Sequence, residues 1–186
     1  MTMNSSSREA ILTAARKAAQ AHGYSGLNFR DLAEEVGIKA ASVYYYFPSK
    51  ADLGAAVARR YWEDTKAELD AMIAENADPL TCLRRYPEIF RRSLENGNRL
   101  CLCSFMSAEH DDLPDAVKRE VQTFTDVNVA WLDRVISTIN DASQNSLGHA
   151  RAIFAAVSGA QLMARSHSDI ALFDDIIENY RNNRIL

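Results

Sequence analysis

The sequence predicts an all-α fold, and three observations carry that expectation. Apolar residues recur at helical spacing along nearly the whole chain, and no segment reads as a credible strand. Gly and Pro are scarce, seven and four in 186 residues, and they stand where helices would start or stop. Two segments open on the Ser-x-x-acid pattern of a capping box.

Ser6 with Glu9 is the first such box, and Ile11, Ala14, Ala15, Ala18 and Ala19 then follow helical spacing up to Gly23, a natural stop. Asn28 caps a short second helix that turns Phe29, Leu32, Ala33 and Val36 inward, and Gly37 supplies the tight turn after it. A third short helix runs from about Lys39 to Phe47 and is ended by Pro48. Ser49 with Asp52 is the second box. It opens a long helix carrying Leu53, Val57, Tyr61, Leu69 and Ile73.

Pro79 fits the first turn of a fifth helix reaching to about Asn96, with Pro87 inside it as a kink. A short helix from about Leu100 to Glu109 follows. After Pro114 a long one carries Val117, Val121, Phe124, Trp131, Leu132, Val135 and Ile139. The polar stretch "NDASQNS", residues 140–146, reads as a loop, and two helices at about 147–165 and 169–182 close the chain. There is no internal repeat and no low-complexity segment.

The chain is long enough for one domain of ordinary size or a small domain joined to a larger one. It has no run of about 18 apolar residues, so no membrane span is expected. Met1 to Ser7 lack a signal pattern, and three cysteines without framework spacing fit a reducing compartment. The expected location is the cytoplasm. Net charge is −4, but residues 1–50 carry six basic and four acidic residues, or +2, leaving −6 for the rest. A mildly basic head on an acidic body suits an approach of one end to DNA.

"SVYYYFPSK", residues 42–50, spends three of the chain's seven tyrosines in one run. Two short helices around a glycine turn, residues 28–47, have the size of a helix-turn-helix. At about 100° per residue Ala40, Val43 and Phe47 share an apolar inward face. Ala41, Ser42 and Tyr45 lie opposite, flanked by Lys39, Tyr44 and Tyr46. That outward face can give phosphates hydrogen bonds and touch base edges. Lys50 falls in the first turn of the fourth helix, where the dipole disfavours a cation and a bound phosphate would relieve the conflict.

"FRDLAEEVGIKAASVYYYFPSKADL" resembles the DNA-binding segment of TetR-family transcriptional regulators. The resemblance covers about the first quarter of the chain. It implies an N-terminal three-helix helix-turn-helix head over residues 1–52, joined to a helical ligand-binding and dimerisation body over 53–186. Position by position, it implies that Arg30, Lys39, Ser42, Tyr44, Tyr45 and Lys50 meet double-stranded operator DNA, with Ala41 and Tyr46 in the same face. It further implies a homodimeric repressor on a partly palindromic operator, released when a small-molecule effector shifts the spacing of the heads.

Large or soft residues flanking the expected kink, Tyr86, Phe90, Cys101, Phe105, Phe124, Trp131 and Met163, are the expected effector contacts. The helix over 147–165 spreads Ala152, Ala155, Ala156, Gly159 and Ala160 among larger apolar residues, and the last helix carries Ile170, Phe173, Ile176, Ile177 and Tyr180. Together they suggest a four-helix interface between two subunits. Its expected residues are Ala155, Ala156, Gly159, Phe173, Ile176, Ile177 and Tyr180.

In "LCLCSFMSAEH", residues 100–110, Cys101 and Cys103 point to different sides of a helix, which disfavours both a disulfide and a metal pair. The Cys101–Leu102 step resembles a segment of TetR-family regulators that sense electrophiles or oxidants through cysteine. Plain packing of both thiols is the competing reading. Arg84, Arg85, Arg91 and Arg92 read as a solvated charged face, and the four scattered histidines hold no ligand spacing for a metal. The alternative class is a small helical enzyme or a module binding another protein, and no catalytic constellation or cofactor motif supports the enzyme.

Overall fold

The computed structural model describes residues 2–76, 78–139 and 145–186, with side chains from residue 6 onward. Ten α-helices and one 3-10 turn occur among the described residues, and no strand does. Residues 140–144 of the expected loop lie outside the described residues. Asn145 caps the following helix and Ser146 begins it.

Helix α1 (Thr2–His22) begins four residues before Ser6, so Ser6 lies inside it and does not cap it. Nothing in the first 22 residues, which hold no Gly or Pro, breaks a helix earlier. Gly23 ends it at φ +68, its N–H donating to the Ala19 carbonyl. Helix α2 (Phe29–Val36) is capped by the Asn28 side chain, which accepts from the Arg30 N–H, and Gly37 closes it in the left-handed region. Helix α3 (Ala40–Tyr46) follows without a side-chain cap.

Helix α4 (Lys50–Glu75) opens as expected: the Asp52 N–H donates to Ser49 Oγ at 3.2 Å and Ser49 Oγ donates to the Asp52 carboxylate at 2.7 Å. The expected fifth helix is two, α5 (Pro79–Arg85) and α6 (Glu88–Glu95). Pro87 lacks the N–H that would continue the ladder, and its carbonyl instead starts a new turn by accepting from Phe90 and Arg91. Helix α7 (Leu102–Ala108), a 3-10 turn (His110–Asp112), α8 (Asp115–Ile139), α9 (Ser146–His167) and α10 (Ile170–Asn182) complete the chain.

The chain divides into two compact units. The first contains Met1–Trp62 and Leu102–Phe124, the second Glu63–Cys101 and Thr125–Leu186. In the first, Ile11, Ala15, Leu27, Leu32, Val43, Phe47, Leu53, Leu102 and Met106 are buried. Its charged anchor is Glu120, almost buried, which accepts from Arg59 Nη2 at 2.5 Å and from the Trp62 indole at 2.8 Å.

Burial pushes the Glu120 carboxyl upward, but the Arg59 and Trp62 hydrogen bonds and the charges of Arg59 and Arg119 outweigh it, and its pKa lies below the ordinary carboxylate value. A depressed folded pKa makes this contribution full above the unfolded value and lost as pH falls through the folded one. Denaturant unfolding of wild type and Glu120→Gln at pH 7 and at about pH 3 tests this. The stability gap is expected to be widest at pH 7 and to shrink in acid, and a gap that ignores pH contradicts it.

In the second unit, Tyr86 stacks on Trp131 with ring centroids 5.7 Å apart and packs beside Phe90 at 5.6 Å. Phe90 meets Phe154 edge-on at 6.2 Å. The core also holds polar side chains. Gln161, fully buried, donates from Nε2 to the Phe90 carbonyl at 2.7 Å and accepts the Cys101 N–H at 3.1 Å. Asn128, also fully buried, accepts the Tyr86 hydroxyl proton at 3.0 Å. The Trp131 indole donates to the Leu69 carbonyl at 2.8 Å.

Candidate nucleic-acid interface and effector region

The helix-turn-helix is built from its inside outward. Phe29, Leu32 and Ala33 of α2 and Val43 of α3 are buried, as is Phe47 just after α3, so α3 has one possible outward face. On it Tyr45 is 74% and Tyr44 57% exposed. Every other Phe, Tyr or Trp ring among the described residues is buried or half-buried, so two neighbouring exposed rings stand out. Ala41, Lys39 and Arg30 are exposed, while Ser42 and Tyr46 are half-buried. The Tyr44 ring leans on Phe29 at 4.6 Å and Tyr45 meets Tyr46 edge-on at 5.2 Å, so both exposed rings are braced from behind.

Lys50 differs from the expectation in one respect. Its ammonium is already engaged, donating to the Ser25 carbonyl at 3.0 Å and lying 4.8 Å from the centre of the Tyr24 ring. Those contacts hold the first turn of α4 against the α1–α2 turn. An ammonium has three protons, so others remain for an anion.

The expected effector residues scatter. Tyr86, Phe90, Cys101 and Trp131 are buried in the second unit. Phe105, half-buried, and Phe124, packed on Tyr61 at 5.5 Å, belong to the first unit. Met163 is 51% exposed. The register of α9 turns Ile153, Val157, Ala160, Gln161 and Ala164 inward and leaves Met163 beside Leu162 on the outer face. A cavity of about 400 Å³ lies within the second unit, lined by Ile73, Asn76, Pro79, Cys82, Arg134 and Val135, and a groove of about 310 Å³ includes Trp131 with Lys66, Leu69 and Arg134. Sequence reading missed Gln161 and Asn128, because a lone amide among apolar residues carries no signal of burial.

The outer face of α9 carries Ala152, Ala155, Gly159, Leu162 and Met163, with Ala156 half-buried. Ile176 and Tyr180 of α10 are half-buried. Phe173 and Ile177 are buried in the chain's own core, at 1% and 3% exposure, so they back this face from within and do not form it. Their four-residue spacing puts them together on the inner side of α10.

The three cysteines are buried. Cys101 stands one residue before α7 and is 1% exposed. Burial raises the Cys82 thiol, and the Asp78 carboxylate raises it further. All three thiols are expected to react with a maleimide at pH 7 at least about a hundredfold more slowly in the native than in the denatured protein. Peptide mapping checks this, and fast native labelling of Cys101 contradicts it.

A family model described as bacterial regulatory proteins, tetR family, matches residues 11–57, the segment containing the helix-turn-helix. The fold matches a TetR transcriptional regulator from Legionella pneumophila with a TM-score of 0.86 at 26% identity, covering 94% of this chain and 95% of that one. The chain belongs to the TetR family. A second TetR-family regulator, from Agrobacterium tumefaciens, matches with a TM-score of 0.85 at 28% identity over 97% of this chain and 98% of that one. The HTH-type transcriptional regulator RutR of Escherichia coli O157:H7 is 30% identical over 131 residues, 69% of this chain. The match spans 61% of RutR's own length. These TetR-family relatives are regulators and not enzymes, which decides against the enzyme alternative. No described helix is long and apolar enough to cross a membrane.

Proposed function

We propose that the protein is a cytoplasmic, homodimeric transcriptional repressor that binds a partly palindromic DNA operator through residues 1–52 and is released by a small-molecule effector bound in the body, residues 53–186. The observation that supports it most is the outward face of α3, where Tyr44 and Tyr45 stand 57% and 74% exposed on a helix whose other face is sealed. Arg30, Lys39, Ser42, Tyr44 and Lys50 contact phosphates, and Tyr45 beside the small Ala41 reaches base edges, with Tyr46 bracing it. The buried group around Tyr86, Phe90, Cys101 and Trp131 is the region proposed for the effector. The outer face of α9 with Ile176 and Tyr180 of α10 is proposed to meet the second subunit.

Two substitutions separate the roles on the head. Lys50→Ala removes one phosphate contact, so it is expected to weaken binding to all duplexes alike and to lower the slope of log affinity against log salt by about one unit. Tyr45→Ala is expected to weaken a duplex selected from a random pool by about tenfold or more and random duplex far less. Fluorescence anisotropy over a salt series measures both. Unchanged affinity in both variants would remove this docking mode.

A further inference from the structure

The α1–α2 turn, Gly23 to Leu27, is held in the first unit from three sides. The Tyr24 N–H donates to the Glu109 carboxylate, just after α7, at 2.6 Å across 85 residues of chain. Gly23 sits at φ +68 with the same carboxylate so close that a side-chain carbon at that position would clash with it. The Tyr24 ring lies against Gly54 of α4, where an added Cβ would be 2.7 Å from the ring and 3.1 Å from Val117 of α8. Lys50 completes the grip through the Ser25 carbonyl and the Tyr24 ring. Gly54 thus gives the Tyr24 ring room to lie on α4, and Gly23 takes up the left-handed backbone that the turn needs.

The turn leads directly into Asn28, the cap of α2, and α2 packs on α3. A carboxylate that fixes a backbone N–H fixes the path of the chain at that point more firmly than a side-chain contact does, because the backbone has no rotamers to yield. The other helix crossing here, α4, touches the turn through Lys50, whose long side chain is compliant, and through Gly54, against which only the Tyr24 ring and not the turn's backbone is held. Glu109 is the short, charged and part-buried link.

We infer that Glu109 is a positioning residue for the DNA-reading helices: by holding the Tyr24 N–H it fixes the α1–α2 turn, and through it α2 and α3, against the end of α7. The inference rests on the DNA-binding reading above and adds which residue outside the helix-turn-helix sets its orientation. Glu109 itself touches no DNA. Its effect falls on recognition of a preferred sequence, which needs the helix correctly aimed, and not on the salt-driven attraction that any basic surface supplies.

The test uses the full-length protein, duplexes it selects from a randomised pool, and a random duplex. Glu109→Gln keeps an acceptor oxygen at the same reach, whereas Glu109→Asp keeps the charge and shortens the reach, and Glu109→Ala removes both. Asp and Ala are expected to lose at least about tenfold in affinity for the selected duplex, the worth of one charge-assisted hydrogen bond, and Gln no more than about threefold. Affinity for random duplex at low salt is expected to change less than about twofold in all three. Amide exchange at Tyr24 is expected to quicken in Asp and Ala and to stay slow in Gln. That readout stands even if the alanine variant folds poorly, because the aspartate is the milder change. Asp behaving as wild type while Gln behaves as Ala would show a charge effect without positioning, and overturns the inference. So does selected-duplex affinity that is unchanged in Asp and Ala. Wild-type protein that binds no duplex would instead overturn the DNA reading, and the inference with it.

Discussion

Gly159→Arg is expected to convert the protein to monomers and to abolish tight operator binding. Gly159 is exposed on α9, and a Cβ there would meet nothing within 4 Å in the chain itself. The arginine therefore leaves the subunit fold alone, and in a helix interior it is the better helix former by roughly 0.5–1 kcal/mol. Any loss must come from outside the chain. Placed between two copies of α9, two guanidinium groups would face each other near a symmetry axis, unpaired and partly desolvated. Dimer dissociation is expected to rise on the order of a thousandfold, and operator affinity to fall on the order of a hundredfold or more as the second half-site no longer adds to the first. Light scattering and anisotropy read the two losses. A Gly159→Arg protein that stays dimeric would place the interface elsewhere.

Gln161→Leu is expected to have the largest effect on stability. The substitution keeps the volume and removes the two hydrogen bonds that tie α9 to the Phe90 carbonyl and to the Cys101 N–H. Each backbone group would lose the Gln161 side chain as a partner, at about 0.5–1.5 kcal/mol a bond. The expected cost of about 1–3 kcal/mol is a large part of an ordinary domain's stability of about 5–15 kcal/mol. Denaturant unfolding monitored by circular dichroism measures it. A loss under about 1 kcal/mol would mean that water or a rearranged backbone satisfies both groups.

How far the fold could be read depended on whether the signal was local. Asn28 with Gly37, and Ser49 with Asp52, mark helix ends by chemistry within four residues, and both stand where the sequence put them. The inward face of α3 was equally legible, since Val43 and Phe47 follow from helical geometry alone. Pro87 was visible as a fault but not as a full break, because whether a helix bends or restarts depends on what each half packs against.

Long-range partners were not legible. Glu109 lies 85 residues from Tyr24, and Gln161 60 residues from Cys101, and no spacing rule connects either pair. The same limit explains Phe173 and Ile177, apolar residues whose stripe fits a core and an interface equally well until the register of α10 is known. Cys101 resembled a sensing cysteine by its local sequence, while its burial at 1% exposure comes from packing that no local pattern reveals.

The claim that the head binds DNA through a basic, aromatic face is tested most directly by the salt dependence of wild-type binding to duplex DNA. Anisotropy of a labelled duplex between about 50 and 200 mM salt is expected to show affinity falling on the order of a thousandfold, with a straight log–log line, as released counterions require when a dimer meets roughly six or more phosphates. Duplex binding that is absent at low salt, or that holds its affinity across this range, would contradict it.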